Sequence, residues 1–224
     1  MIKLCIFDLD GTLLDTLQSI RHFLNLALVE NGLPEIDLAH TRAFVGNGVK
    51  ILARRSMAHA GVDIDTPEAD ATAARVAQRL TDLYDKDPLY LTEPYDGIED
   101  LIAVLRAKGM RLAVLSNKPH SAVVPIIEAF FGSDFDEARG GMAGVALKPM
   151  PDAAIDIAKC FGVSPSECAF IGDSEVDMQT GRAFGAGITI GVSWGFRDKD
   201  VLVASGADVV ADSCDEVLRA ILAK

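Results

Sequence analysis

The segment DLDGT at positions 8–12 places Asp8 and Asp10 two residues apart, directly after the apolar run Ile2–Phe7. In an extended backbone, side chains two residues apart begin on the same side, so both carboxylates face one region. A buried carboxylate is unstable without a cation or hydrogen-bond donors, and the glycine and Thr12 that follow supply close backbone N–H groups and a hydroxyl. Taken alone, the segment fits either an Asp-rich turn or a ligand site.

Further polar groups follow, or lie between, two later apolar runs, Arg111–Ser116 and Cys168–Gly172. These groups are Ser116-Asn117-Lys118, Lys148-Pro149, and Asp173 with Asp177. In an open parallel sheet, ligands bind outside the carboxyl ends of the strands. If the three runs are neighbouring strands, carboxylates, hydroxyls and a lysine converge on one point, and a ligand site is favoured over a simple turn.

This combination of side chains suits phosphoryl transfer. Mg²⁺ usually takes one or two carboxylates together with waters and a substrate phosphate, and the ion would offset the repulsion between Asp8 and Asp173. Lysine, hydroxyl and amide groups would hold the remaining phosphate oxygens. One carboxylate facing phosphorus can attack it to give an aspartyl-phosphate, and a second can protonate the leaving oxygen and later deprotonate water. The predicted cofactor is therefore Mg²⁺, and the predicted ligand is a small phosphorylated metabolite.

The composition is that of a globular protein and argues against several other classes. The chain has 224 residues, of which 50% are hydrophobic, and a formal net charge of −12 with no basic block. That charge argues against nucleic acid and against an anionic membrane surface as partners. The four cysteines include no CxxC pair, so neither a zinc site nor a disulfide framework is indicated. The apolar N-terminal stretch is too short for a membrane span and lacks a signal-peptide cleavage pattern, which predicts a cytoplasmic protein.

The elements that must position these side chains alternate between strand and helix patterns. Five short apolar runs are predicted strands: Ile2–Phe7, Arg111–Ser116, Cys168–Gly172, Ala186–Val192 and Ala207–Ala211. Stretches with apolar residues at helical spacing separate most of them. This alternation predicts an α/β fold with a doubly wound parallel sheet, which is a Rossmann-like core.

One long segment interrupts the alternation. Residues 16–92 contain helical patterns but no strand pattern, and this helical segment is inserted directly after the first strand. We therefore predict that 16–92 form a small, inserted α-helical cap domain. The α/β core domain then comprises 1–15 and 93–224.

In these motifs the sequence resembles the haloacid dehalogenase-like phosphohydrolases. The matching motifs, in order, are DLDGT at 8–12, SNK at 116–118, KP at 148–149, and GD at 172–173 with Asp177. The helical insertion resembles the α-helical cap of that family. Within the family the sequence is most similar to phosphoglycolate phosphatases, in GTLLDT at 11–16, FVGNGV at 44–49, LSNKP at 115–119, KPMPD at 148–152 and VSWGF at 192–196. Subfamilies with other substrates share several of these stretches.

The resemblance implies a role for each matching position. Asp8 would be the nucleophile and a Mg²⁺ ligand, and Asp10 the general acid and base, with its backbone carbonyl on the metal. Asp173 would be the third protein ligand of the metal, and Asp177 would lie outside the direct ligands or orient a metal-bound water. Four residues would grip the phosphate: Thr12, Ser116, Asn117 and Lys148.

Several residues near these motifs can be interpreted in two ways. Gly46, Asn47 and Gly48 form either a cap loop that closes over the carbon part of the substrate or an ordinary turn between helices. Lys118 faces either substrate or solvent. Trp194 is expected to pack in a loop near the site.

The predicted function is a Mg²⁺-dependent phosphatase that hydrolyses a small phosphomonoester, with 2-phosphoglycolate as the first candidate, through an aspartyl-phosphate. The alternatives are a sugar-phosphate mutase of the β-phosphoglucomutase type, a pyrophosphatase, and a non-catalytic family member that binds a partner. The sequence gives no indication of oligomeric state.

Overall fold

A six-stranded parallel sheet forms the centre of the computed structural model, which describes residues 1–224. The strands are β1 (Leu4–Phe7), β2 (Leu14–Asp15), β3 (Glu93–Pro94), β4 (Arg111–Pro119), β5 (Glu137–Gly141), β6 (Cys168–Gly172), β7 (Ile188–Val192) and β8 (Val209–Ala211). The order in the sheet is β5-β4-β1-β6-β7-β8, and every neighbouring pair is parallel. The remaining two strands, β2 and β3, pair with each other.

The helices are α1 (Leu17–Glu30), α2 (Leu38–Phe44), α3 (Val49–His59), α4 (Pro67–Tyr84), α5 (Ile98–Ala107), α6 (His120–Phe131), α7 (Asp152–Cys160), α8 (Glu175–Phe184), α9 (Lys199–Ala204) and α10 (Cys214–Leu222). None of them has the length and apolarity that crossing a lipid bilayer requires.

Helices cover both faces of the sheet because the strand side chains alternate between the faces. In β1, Leu4 and Ile6 pack in one apolar cluster with residues of α7 and α8, whereas Cys5 and Phe7 pack in a second cluster with residues of α5, α6 and α10. All four side chains are completely buried. The predicted α/β fold with a doubly wound parallel sheet is confirmed.

Helices α1 to α4, which we call the inserted helices, lie between β2 and β3. The two short strands form an antiparallel ribbon in which Leu14 pairs with Pro94 and Asp15 with Glu93. The chain therefore leaves for the inserted helices and returns from them at the same place. The division into core and cap domains at 15/16 and 92/93 stays a prediction.

The elements that were not predicted from the sequence include β5 and α2. The edge strand β5 has the sequence EARGG, which lacks the apolar run that marks the buried strands. The short helix α2 has the sequence LAHTRAF, and among its seven residues only Thr41 is buried. In neither element is the pattern of apolar residues long enough to predict a strand or a helix.

Asp136 fixes the start of β5 against β4. Its Oδ2 accepts hydrogen bonds from the backbone N–H of Leu112 at 2.9 Å and from Arg106 at 2.7 Å, and its Oδ1 accepts one from Arg111 at 2.7 Å. Burial alone would raise the pKa of Asp136, but the bonds from Leu112, Arg111 and Arg106 outweigh it and hold that pKa below its ordinary value of 3.8.

We expect Asp136→Asn to lower the free energy of unfolding by about 1 to 3 kcal/mol at pH 7, because charge-assisted hydrogen bonds are lost. The pKa of Asp136 is lower in the folded than in the unfolded chain. The difference in stability between the two proteins is therefore complete at a pH above the ordinary carboxyl pKa, and it shrinks as the pH falls through the lower pKa of the folded chain. Urea unfolding of both proteins between pH 7 and pH 3 measures it.

Asp134→Asn is the matched control, since Asp134 is exposed and its side chain makes no hydrogen bond. Equal stabilities of the Asp136→Asn and Asp134→Asn variants would contradict this role of Asp136.

Candidate active site

Three neighbouring strands bring the polar residues together. In the sheet, β4 and β6 flank β1, and all three run in the same direction. Asp8 follows β1, Asp173 follows β6, and 116–118 lie within the last part of β4. From β1 the chain adds β4 and β5 on one side of the sheet and then β6, β7 and β8 on the other side. Open α/β folds bind their ligands at such a switch in strand order.

Three buried carboxylates lie close together at this point, and two of them pair with one lysine. One carboxylate oxygen from each of Asp8, Asp173 and Asp177 lies within 4.8 Å of the other two. The Nζ atom of Lys148 is 2.8 Å from Asp8 Oδ1 and 2.7 Å from Asp177 Oδ1. With all four groups ionised, three negative charges and one positive charge leave a net charge of −2 in this acidic cluster.

The excess negative charge shifts the ionisation of the acidic cluster. Burial, with the nearby charge of Asp177, raises the pKa of Asp8 to about 7. Burial and the charges of Asp177 and Asp8 raise the pKa of Asp173 well above its ordinary value. For Lys148, burial alone would lower the pKa, but Asp177 and Asp8 outweigh it and raise the pKa. The side chains of the protein thus supply too little positive charge to neutralise the three carboxylates when all of them are ionised.

The acidic cluster fits a hard divalent cation. Its donors are carboxylate oxygens, which Mg²⁺ prefers. Asp8 Oδ1 is buried and, although Lys148 lies close to it, accepts no hydrogen bond of good geometry. A divalent ion would also balance the net charge of the cluster.

Close packing against the first motif orients Asp173. Its Oδ1 accepts a hydrogen bond from Thr12 Oγ1 at 3.2 Å, and its Oδ2 accepts one from the backbone N–H of Phe196 at 2.6 Å. Gly11 has φ of +85°, and a Cβ atom there would lie 2.3 Å from Asp173 Oδ2. Any residue larger than glycine would therefore displace this carboxylate.

Asp177 also belongs to the N-terminus of α8. Its Oδ2 accepts hydrogen bonds from the backbone N–H of Ser174 at 3.1 Å and from Ser174 Oγ at 2.5 Å, while its Oδ1 accepts one from Lys148. This is a capping box in which aspartate takes the place of the usual glutamate. Both oxygens of Asp177 are therefore engaged by protein donors.

Asp10 lies apart from the acidic cluster and pairs with Lys118. Lys118 Nζ is 3.0 Å from Asp10 Oδ1 and 3.8 Å from the centre of the Tyr84 ring, at the end of α4. Burial alone would lower the pKa of Lys118, but Asp10 and Tyr84 outweigh it and raise the pKa. The Lys118 side chain is only 4% exposed, so it does not face solvent.

Asn117 connects three segments by hydrogen bonds to their backbone. Its Oδ1 accepts from the N–H of Lys148 at 2.9 Å, and its Nδ2 donates to the carbonyls of Lys148 and Gly46, each at 2.9 Å. Ser116 Oγ accepts from the backbone N–H of Lys118 at 3.2 Å. In this structure the amide of Asn117 therefore holds the Lys148 backbone and the loop at 46–48.

A cleft opens between the sheet edge and the inserted helices. Seven of the predicted site residues line it: Asp8, Asp10, Gly46, Gly48, Ser116, Asn117 and Asp173. Lys118 lines it as well, whereas the predicted site residues Thr12, Asn47, Lys148 and Asp177 do not. Apolar side chains of α1, α3 and α4 form the opposite wall, namely Ile20, Val49, Leu52 and Leu80.

Tyr84 and Arg197 are among the residues of this cleft that sequence reasoning missed. Tyr84 ends an apolar stripe on α4, so nothing in the sequence separates it from core residues. Arg197 directly follows the stretch VSWGF, and its position beside a family motif was the available signal.

Comparison with known proteins identifies the family. A model of haloacid dehalogenase-like hydrolases matches residues 2–185. A phosphoglycolate phosphatase of Pseudomonas putida is 33% identical over 225 residues, covering 98% of this chain and 78% of the relative. A phosphoglycolate phosphatase of Haemophilus influenzae is 31% identical over 218 residues, covering 96% of each chain.

Solved structures agree with these sequence relatives. A crystal structure from Lactobacillus delbrueckii subsp. bulgaricus, provisionally described as a phosphoglycolate phosphatase, has a TM-score of 0.90 and 35% identity, and the match covers 99% of both chains. CbbY from Rhodobacter sphaeroides, crystallised in complex with phosphate, has a TM-score of 0.78 and 26% identity over 97% of this chain and 96% of CbbY. The chain therefore belongs to the haloacid dehalogenase-like hydrolases, as a phosphoric monoester hydrolase that resembles the phosphoglycolate phosphatases among them.

Proposed function

We propose that this hydrolase cleaves 2-phosphoglycolate with the help of Mg²⁺ and through an aspartyl-phosphate on Asp8. The observation that carries the proposal is the acidic cluster, in which three carboxylates are accompanied by a single lysine and which opens into the cleft through Asp8 and Asp173. The choice of 2-phosphoglycolate is supported by the relatives named phosphoglycolate phosphatase.

Asp8, Asp173 and the backbone carbonyl of Asp10 would hold Mg²⁺, which supplies charge neutralisation for the phosphoryl group when bound. Lys148 compensates part of the charge of Asp8 and fixes that carboxylate beside the cleft. Lys148, Ser116, Asn117 and Thr12 are the proposed phosphate-binding residues. In this structure the hydroxyl of Thr12 donates to Asp173 and the amide of Asn117 donates to two carbonyls, so these two side chains would have to exchange those bonds for bonds to the phosphate. Asp177, which does not line the cleft, accepts a hydrogen bond from Lys148 and so fixes its position.

In the first step a carboxylate oxygen of Asp8 attacks phosphorus, the bond from phosphorus to the ester oxygen breaks, and Asp10 gives a proton to the leaving alkoxide. In the second step water attacks the aspartyl-phosphate, Asp10 takes the proton of that water, and Asp8 is released with inorganic phosphate. Lys118 Nζ, 3.0 Å from Asp10 Oδ1, would hold the Asp10 carboxylate in place for both proton transfers.

A panel of phosphate esters, assayed for phosphate release with and without MgCl2, tests the substrate. We expect the highest kcat/KM for 2-phosphoglycolate and loss of turnover in EDTA. A preference for pyrophosphate would support the pyrophosphatase alternative instead. Conversion of β-glucose 1-phosphate that depends on a bisphosphate primer would support the mutase.

We expect Asp8→Asn to lower kcat by about a thousandfold or more, because the amide oxygen is a poor nucleophile and no other group can form the covalent intermediate. Steady-state phosphate release measures the change, with Asp134→Asn as the control that should keep wild-type turnover. Full activity of the Asp8→Asn variant would show that another group attacks phosphorus.

Mg²⁺ should stabilise the folded chain, because the ion relieves repulsion that exists only when the acidic cluster is assembled. At a Mg²⁺ concentration of about 100 times Kd, the gain is about 2.7 kcal/mol. For a chain of this size, that corresponds to a rise in Tm of roughly 5 to 10 °C. Differential scanning calorimetry with MgCl2 measures the rise, which Asp173→Asn should abolish and Asp134→Asn should leave intact. An equal rise in the Asp173→Asn variant would place the ion elsewhere.

A further inference from the structure

Two arginines join the inserted helices to the loop that follows β7. Arg42, on α2, donates hydrogen bonds to the carbonyls of Gly195 at 2.9 Å and Phe196 at 2.7 Å. Arg197, in the loop, donates in the opposite direction, to the carbonyls of Arg42 at 2.7 Å and Val45 at 2.9 Å. Each arginine thus donates hydrogen bonds to backbone carbonyls at or near the position of the other arginine.

The same loop packs tightly against the candidate metal ligand. The N–H of Phe196 donates to Asp173 Oδ2 at 2.6 Å. A Cβ atom at Gly195 would lie 2.3 Å from both the Asp173 Cβ atom and the carbonyl oxygen of Gly11. Trp194 donates its ring N–H to the carbonyl of Thr12 at 3.1 Å. A shift of this loop must therefore move Asp173 or break its hydrogen bond.

One peptide group connects Arg42 to Asp173. The carbonyl of Gly195 and the N–H of Phe196 belong to the same peptide unit, so a guanidinium cation binds one end of it and a carboxylate the other. Hydrogen bonds in such a chain polarise and strengthen each other. We propose that Arg42 is a positioning residue, which orients Asp173 through the Gly195–Phe196 peptide when α2 is docked on the loop. Arg197 secures this docking from the other side.

The consequence for the reaction is a direct connection between the inserted helices and the candidate metal site. If α2 moves away from the loop, the polarising cation leaves the peptide and Asp173 loses its alignment. The carboxylate is then best oriented for an ion when the inserted helices cover the cleft. This inference rests on the proposed role of Asp173 as a metal ligand.

The matched control is Arg55 on α3. It also donates to a backbone carbonyl, that of Phe44 at 2.7 Å, but both partners belong to the inserted helices. Arg55→Met therefore removes an equivalent hydrogen bond without touching the loop after β7. Arg42→Lys is a second test variant, because lysine keeps the charge but not the fork that binds two carbonyls.

The chain's single tryptophan, Trp194, gives a readout that does not depend on turnover. We expect MgCl2 alone to change the fluorescence of Trp194 in the wild type. The half-saturating MgCl2 concentration should rise about tenfold in Arg42→Met and two- to fivefold in Arg42→Lys. Hydrolysis of p-nitrophenyl phosphate at saturating MgCl2 should show a kcat about tenfold lower in Arg42→Met, with a smaller change in KM. Arg55→Met should stay within twofold of the wild type throughout.

The outcomes separate this inference from the proposed function. A wild-type response to MgCl2 that Arg42→Met and Arg42→Lys retain unchanged overturns the positioning role alone. An equal loss in Arg55→Met overturns it too, since the effect would then be general weakening of the inserted helices. A wild type that shows no response to MgCl2 overturns the metal site, and the inference with it. If Arg42→Met does not fold, the comparison of Arg42→Lys with Arg55→Met decides.

Discussion

Burying three neighbouring carboxylates with a single lysine to compensate them is the constraint on which the rest of the structure depends. Repulsion between like charges in a region with little water is strong, and only Lys148 lies within ion-pair distance of Asp8 and Asp177. The polypeptide tolerates this arrangement because short, fully buried strands fix the backbone directly before Asp8 and directly before Asp173. The free energy gained by packing the two faces of the sheet offsets the local electrostatic cost.

The supporting hydrogen bonds compensate the carboxylates without removing their charge. Thr12 and the N–H of Phe196 bind Asp173, and the capping box of α8 binds Asp177. These donors are neutral, so they lower the cost of burial while the negative charge remains. An arrangement of this kind suits a site whose positive charge arrives with the ligand, as we propose for Mg²⁺.

The sequence predicted the sheet well where strands are buried on both faces. The strand Cys168–Gly172 has the predicted bounds, and the wound α/β fold is confirmed. Periodicity cannot find an element that contributes few buried side chains, which is why α2 and β5 were missed. The role of Asn117 in holding the Lys148 backbone, 31 residues away, depends on tertiary contacts. By contrast, the capping box from Ser174 to Asp177 is a local spacing that could have predicted the start of α8, although the predictions made from the sequence did not use it.

The proposed catalytic residues and the apolar wall of the cleft belong to different parts of the chain. The carboxylates come from the sheet edge, whereas the apolar wall of the cleft comes from the inserted helices. Asn117 and the two arginines connect these parts through backbone carbonyls, which every residue possesses. Side chains along the wall can therefore vary without loss of these connections.

The antiparallel ribbon of β2 and β3 carries this separation further. Because Leu14 pairs with Pro94 and Asp15 with Glu93, the segment between them begins and ends at adjacent points, as a hairpin loop does. Exchanging that segment for another of different length or shape leaves the ends of the flanking chain where they are. A fold built in this way can acquire new ligand preferences by replacement of one contiguous piece of the gene, while the chemistry at the strand ends is inherited unchanged.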